Sequence, residues 1–262
     1  FDPSYAGPAA AGDRPFTIQR EYFGAEQAAT IRPSLVSCRH VLEHVEDPVA
    51  FLRTLRQAIE ACGDAVLYLE VPSGEELLES NGLWDYLYEH VSYFTASSLE
   101  AVLHAAGFEV LAMRRDFGGQ FLCADARVAR QALPVPTPSA RSDDAIRAAA
   151  QAMLERLDHW KRWANSLPAG RTVSLWGAGS KGVMFLNLLG LVAPHRIDRV
   201  VDQNLDKHGR FVSGTGQEIV APQALRGGDV KQIVLMNGIY ESAVRDRLQN
   251  LGIDAQLAKN KE

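Results

Sequence analysis

The sequence predicts an α/β protein that contains two units of strands alternating with helices. Apolar runs at 65–71 and 173–176 have the composition of strands buried on both faces of a parallel sheet. A glycine-rich loop at 177–182 follows the second run and opens a helical pattern, as in nucleotide-binding folds. A chain of 262 residues with 47% hydrophobic content is long enough to bury one large core or two modest ones.

The first unit opens with a strand and a helix. The apolar run 35–38 predicts the strand. Asp47 then supplies an N-cap and Pro48 the first helical position, and Gly63 is the expected left-handed terminator. This helix would connect the strand to its parallel neighbour at 65–71.

A second helix and an antiparallel hairpin complete this unit. Ser97 and Glu100 have the spacing of a capping box, and Gly107 closes the helix that they open. The next two strand candidates, 108–113 and 120–128, are too close in sequence for a crossover helix. They therefore predict an antiparallel hairpin at the end of the sheet.

Composition divides the chain into three segments. Residues 1–130 form the first unit, and 131–168 form a proline-rich linker with a spacer helix. Residues 169–262 form a second, smaller α/β domain. It begins with a strand, the glycine loop and a helix, and continues with a strand at 233–236 and a helix at 240–251.

Charge and cysteine usage exclude several classes of protein. A net charge of -5 and a pI near 5.8 argue against a nucleic-acid partner, which needs a basic surface. The three cysteines are widely spaced and form no C-x-x-C pair, so they predict free thiols in a reducing cytoplasm. No apolar run approaches the roughly 20 residues of a membrane span, and we expect no membrane partner. We therefore predict a cytoplasmic protein with a small-molecule substrate.

The glycine loop is a candidate phosphate or nucleotide site. Gly177, Gly179 and Gly182 have the G-x-G-x-x-G spacing, and Asp202 lies about 20 positions further on. Glycines allow a phosphate to approach free N–H groups at the positive end of a helix, and Lys181 could touch it or form a salt bridge. Two alternatives stay open: tight strand-to-helix packing with no ligand, and NAD binding by an oxidoreductase.

A carboxylate and an imidazole follow the strand at 65–71, on the side of a parallel sheet where active sites collect. Glu89 and His90 could form an acid/base pair, because the carboxylate would orient the imidazole and histidine titrates near neutrality. A solvated loop pair is the alternative. His44 follows the neighbouring strand, so His44 and His90 could face one pocket.

A metal site is a further possibility. His40 and His44 have helical spacing, as a metal-binding pair would. No third ligand is evident, and the segment lies between a strand and a helix rather than within a long helix. We therefore predict no metal site.

Several motifs resemble a known family. Residues 38–48 (Cys-Arg-His-Val-Leu-Glu-His-Val-Glu-Asp-Pro), 70–72 and 88–94 are similar to the later motifs of S-adenosylmethionine-dependent methyltransferases of the sugar C-methyltransferase type. Residues 176–182 and 201–204 resemble the Rossmann-like C-terminal domain of the same proteins. The resemblance implies a partial class I methyltransferase sheet with its closing hairpin, followed by a smaller Rossmann-like domain.

The resemblance also implies an activity and a substrate. S-adenosylmethionine would be the cofactor, and a nucleotide-linked keto sugar, held near the junction of the two domains, the methyl acceptor. We expect a zinc-binding domain and the first strand, glycine loop and helix of the cofactor site upstream of Phe1. Leu87 and Tyr88 stand where the sugar enzymes carry Tyr and His.

Roles for individual residues follow from the same resemblance. His90 would remove a proton from the carbon beside the ketone, Glu89 would orient it or bind substrate, and His44 matches the family's histidine after the fourth strand. Asp2 would accept hydrogen bonds from the cofactor's ribose, with a turn cap as the alternative. The competing functions are an NAD(P)-dependent oxidoreductase, a non-catalytic nucleotide-binding module, and O-methylation by the same core.

Overall fold

The computed structural model describes residues 1–7, 16–80, 83–87, 89–136, 141–168, 173–192, 197–227, 230 and 232–259. Tyr88, part of the 88–94 motif, lies outside them. The chain divides into two compact units. Unit 1 consists of Phe1–Glu76 and Glu89–Ser142, and unit 2 of Leu77–Tyr88 and Asp143–Glu262. The limits at 130 and 168 stay a prediction from composition.

A four-stranded mixed sheet forms the centre of unit 1. Its order is β1-β2-β4-β3, with β1 parallel to β2 and β4 antiparallel to both of its neighbours. The predicted closing hairpin is therefore confirmed. The elements up to the end of this sheet are α1 (Ala25–Ile31), β1 (Leu35–Arg39), α2 (Pro48–Cys62), β2 (Val66–Pro72), α3 (Gly74–Glu79), α4 (Ala96–Ala106), β3 (Phe108–Asp116) and β4 (Phe121–Val128).

The helix α2 begins after Asp47 and ends before Gly63 as its sequence predicts, but Gly63, with ψ -87°, does not take the left-handed helical conformation expected of it. The Asp47 carboxylate accepts a hydrogen bond from the Ala50 N–H at 2.9 Å, and Gly63 at the other end has φ 116°. Leu52 and Ile59 on one face of α2 are buried in the core. This packing holds the helix against the sheet and leaves the carboxyl end of β1 free to carry the site.

The predicted capping box of α4 is wrong by two residues. Thr95, in extended conformation, is the N-cap, and its partner is Ser98 rather than Glu100. The Thr95 hydroxyl accepts from the Ser98 N–H at 3.3 Å, while the Ser98 hydroxyl accepts from the Thr95 N–H at 2.9 Å. Several hydroxyl residues stand in this segment, so the tertiary path of the chain decides which one caps. Gly107 closes the helix with φ 84°, as predicted.

Unit 2 contains a five-stranded parallel sheet in the order β7-β6-β5-β8-β9. Trp84, Trp160 and Phe185 form an aromatic cluster in its core, with Phe185 edge-on to both indoles at centroid distances of 4.8 and 4.9 Å. The elements are α5 (Arg141–Ser166), β5 (Val173–Trp176), α6 (Ser180–Val192), β6 (Arg199–Val201), β7 (Ile219–Val220), β8 (Gln232–Leu235), α7 (Glu241–Asn250) and β9 (Gln256–Lys259).

Together, the two sheets confirm the predicted α/β fold class. Within the described residues, none of the helices combines the length and the apolar character that crossing a membrane requires.

Candidate active site

Two loops meet at the carboxyl end of β1. A single 3-10 turn, Leu42–His44, follows the strand and carries Glu43 and His44. The N–H groups of Val91 and Ser92 donate to the Glu43 carbonyl at 2.9 and 3.1 Å. The Nδ1 atom of His44 lies 2.9 Å from the Glu89 carbonyl oxygen. These three contacts fix the segment that carries His90 against the turn that carries His44.

The structure brings the His44 and His90 rings together. Their centroids are 4.8 Å apart and their planes meet at 79°. His90 is half-buried, and its Nδ1 atom has no hydrogen-bond partner. Burial lowers the pKa of His90, and the charge of Glu43 opposes that shift only in part. The His90 imidazole is therefore biased toward its neutral form, which can accept a proton.

Glu43 is the buried acid of this site. Its side chain is 1% exposed, and neither carboxylate oxygen has a hydrogen-bond partner. The His40 Nδ1 and His44 Nε2 atoms approach its Oε1 atom to 3.5 and 4.0 Å. Burial and the neighbouring Glu43 charge also raise the pKa of Cys38 to about 12. Sequence reasoning missed Glu43, although it forms a Glu-His pair just as residues 89 and 90 do.

Glu89 differs from Glu43 in burial. It is exposed, and its carbonyl rather than its carboxylate contacts His44. Among the contacts of the described residues, none joins the Glu89 carboxylate to His90. The predicted orienting role of Glu89 thus has no hydrogen bond behind it here and stays a prediction.

His40 connects Glu43 to a polar cluster at the ends of β1 and β2. Its Nε2 atom lies 3.1 Å from Glu70 Oε1, which also accepts from Arg39 Nε and Nη2 at 2.9 and 2.7 Å. The Tyr68 hydroxyl donates to Glu70 Oε2 at 2.8 Å. Burial alone would raise the pKa of Glu70, but the hydrogen bonds from Arg39 and Tyr68 outweigh it and lower the pKa.

Three of these side chains could hold a metal ion. One ligand atom each from Glu43, His44 and His90 can be chosen so that all lie within 4.8 Å of one another. The sequence pairs His40 with His44 and offers no third ligand. In the structure, His44 instead groups with Glu43 and His90, while His40 contacts Glu70.

A cavity of about 790 Å³ opens beside the same edge of the sheet in unit 1. Its lining includes Asp2, Ser37, His40 and His44. This volume is in the range of pockets that hold nucleoside-sized ligands. Asp2 is exposed, and hydrogen bonds from the Ser4 hydroxyl and N–H, at 2.7 and 2.9 Å, lower its pKa. Asp2 thus lines the cavity and also stabilises a local turn.

The three loop glycines of unit 2 differ in what surrounds them. Gly177 has φ 112°, which suits the tight turn after β5. A Cβ atom on Gly182 would lie 2.0 Å from the Gly177 carbonyl oxygen, so a side chain has no room there. Around Gly179, by contrast, a Cβ atom would meet nothing within 4 Å. Gly182 therefore serves packing, while Gly179 leaves space for an approaching ligand.

Charged groups beside this loop already have partners. Lys181 forms a salt bridge with Asp85 at 2.6 Å. The Asp202 carboxylate accepts from the N–H groups of Ala178 and Asn204 at 2.8 and 2.9 Å, and from Lys207 Nζ at 3.2 Å. Burial alone would raise the pKa of Asp202, but these hydrogen bonds outweigh burial, and the pKa lies below its usual value. The loop, Asp202 and Lys207 line a cavity of about 370 Å³.

Comparisons with protein families identify the class of protein. The family described as a methyltransferase domain matches residues 1–113, and the family described as a C-methyltransferase C-terminal domain matches residues 140–254. A search of curated proteins gave no match. The first span includes β1, β2 and the start of β3 in unit 1, and the second includes β5 to β8 in unit 2; together they define a methyltransferase.

The chain belongs to the S-adenosylmethionine-dependent C-methyltransferase family. Methyl transfer is the chemistry that both matches support. The resemblance of residues 38–48, 88–94 and 176–182 to C-methyltransferases is confirmed, and the sugar substrate stays a prediction.

Proposed function

We propose that this protein methylates a carbon atom beside a ketone, in a nucleotide-linked keto sugar or a related small molecule, and that His90 is the base. One observation carries the proposal. The half-buried His90 ring lies against His44, which lines the cavity of unit 1, and backbone hydrogen bonds to Glu43 hold its loop in place.

The chemistry requires a base and a stabilised enolate. A neutral His90 nitrogen takes the proton from the carbon, and the C–H electron pair moves into the enolate. Donors beside the enolate oxygen lower the barrier. His44 packs against His90 and holds that base in place, because its own proton on Nδ1 is donated to the Glu89 carbonyl. S-adenosylmethionine supplies a methyl group on a sulfonium centre, which leaves as a neutral thioether when the carbon takes the methyl. Holding the reactants together provides most of the remaining acceleration.

The cavity of unit 1 is the proposed place of the cofactor. Its volume suits a nucleoside, and Asp2 at its rim offers a carboxylate to ribose hydroxyl groups. The lowered pKa of Asp2 keeps that carboxylate ionised and able to accept hydrogen bonds.

The glycine loop of unit 2 is a proposed phosphate-binding site. Gly177 makes the turn, Gly182 lets α6 pack, and Gly179 leaves the approach open. Lys181, paired with Asp85, and Lys207, paired with Asp202, lie beside the cavity. Asp202 also holds the loop in shape through Ala178.

A product assay tests this function. The protein is incubated with S-adenosylmethionine and a nucleoside-diphosphate keto sugar, and the products are analysed by mass spectrometry and carbon NMR. We expect a product heavier by one CH₂ unit, with the new methyl group on carbon and S-adenosylhomocysteine as the by-product. A methyl group on oxygen would contradict deprotonation beside the ketone, and the absence of transfer would contradict this substrate class.

A further inference from the structure

We propose that Glu43, His44 and His90 bind a divalent transition-metal ion. Glu43 provides the first argument, because a buried polar group without a hydrogen-bond partner is costly. Both of its carboxylate oxygens lack such a partner at 1% side-chain exposure. A cation between Glu43 and the two imidazoles would supply the missing partner.

The tautomer of His44 provides the second argument. A carbonyl oxygen only accepts hydrogen bonds, so the contact of 2.9 Å to the Glu89 carbonyl places the proton on Nδ1 of His44. The Nε2 atom then keeps its lone pair, and it lies on the side of Glu43, 4.0 Å from Oε1. A backbone carbonyl that holds the second nitrogen of a ligating histidine is a common arrangement around protein metal ions.

The spacing of the ligand atoms is the third argument. Two atoms that each lie about 2.1 Å from one ion are at most about 4.2 Å apart. The candidate atoms lie within 4.8 Å of one another, so small side-chain rotations bring them to bonding distance. The nearly perpendicular rings of His44 and His90, at 79°, do not stack, which leaves their nitrogens free to converge.

The ligand set indicates the kind of metal. Two imidazoles and one carboxylate favour zinc, iron, cobalt or nickel over calcium and magnesium, which prefer oxygen ligands. The exposed His44 ring, at 37%, gives the ion a path from solvent. Three protein ligands leave at least one coordination position open.

The metal has a consequence that rests on the proposed function. When a metal occupies one nitrogen of a neutral imidazole, the other carries the proton, so His90 has no lone pair left for the substrate. The metal-loaded protein therefore does not deprotonate the carbon through His90, and transition metals inhibit methyl transfer.

Cobalt(II) titration of the untagged, chelator-stripped full chain tests the site. We expect visible absorption bands that saturate at one cobalt per chain, and binding weakened roughly tenfold or more in Glu43→Gln and His44→Ala. His159→Ala, an exposed histidine on α5, is the matched control and keeps wild-type affinity. Circular dichroism confirms that each variant is folded. Unsaturable binding, or equal affinity in all three variants, overturns the proposal.

Solvent deuterium exchange into a keto-sugar substrate separates the metal site from the base. We expect saturating cobalt to suppress exchange in the wild type and a chelator to restore it. Saturable cobalt binding with undiminished exchange would remove His90 as the base but leave the metal site intact. If cobalt does not bind but exchange still depends on His90, the metal site is overturned and the assignment of His90 as the base stands.

Discussion

Gly182→Ala should destabilise unit 2, because a backbone atom occupies the place of the new methyl group. The added Cβ would lie 2.0 Å from the Gly177 carbonyl oxygen, whereas ordinary contacts begin near 3.4 Å. The loop must shift by more than 1 Å, for which overpacking data suggest a cost of about 3 kcal/mol. Alanine has a higher helix propensity than glycine, which offsets up to about 1 kcal/mol of this cost. We therefore expect the free energy of unfolding to fall by about 2 kcal/mol.

Gly190→Ala is the matched control within α6. A Cβ atom there would meet Thr215 Cγ2 at an ordinary 3.6 Å, so only the gain in propensity remains, up to about 1 kcal/mol. Urea unfolding followed by tryptophan fluorescence measures both variants. All four tryptophans (Trp84, Trp160, Trp163 and Trp176) lie in unit 2, so the signal reports that unit. Equal effects of the two substitutions would refute the packing role of Gly182.

Two further predictions concern carboxylates that accept several hydrogen bonds. Asp202 has a lowered pKa in the folded state, so its contribution to stability is present above about pH 4 and is lost as the pH falls through the folded pKa. Asp202→Asn should lower urea stability at neutral pH and flatten its decline in acid; an unchanged acid profile would contradict this. Glu70→Gln should weaken the hydrogen bonds from Arg39 and Tyr68 and lower the opening free energy of β1 and β2 by about 1–2 kcal/mol, measured by amide hydrogen exchange. Unchanged protection would show that the Glu70 charge does not stabilise these strands.

Local sequence predicts the elements whose signals are local. The caps of α2 at Asp47 and Gly63 and the hairpin of β3 and β4 are examples, because each depends on residues within a few positions. The strand β7 has two residues, and neither it nor β9 was predicted. Their pairing with β6 and β8 comes from the tertiary fold, which short segments do not encode on their own.

The candidate site shows the same limit. Residues 43–44 and 89–90 are both Glu-His pairs, and sequence alone favours the second because it follows the strand at 65–71. In the structure the two acids differ in burial. Glu43 is buried in the turn after β1, while Glu89 is exposed. Burial depends on contacts between segments about 45 residues apart, and these contacts determine which carboxylate lies beside the histidines.

Solvent deuterium exchange in the His90→Ala variant tests the central claim most directly. The metal-free protein is incubated in deuterated buffer with a nucleotide-linked keto sugar, and NMR follows the proton beside the ketone. Loss of a general base should slow exchange roughly 100-fold or more. We expect this loss with unchanged affinity for S-adenosylmethionine, and wild-type exchange in the control His159→Ala. Exchange at the wild-type rate in His90→Ala would contradict the assignment of His90 as the base.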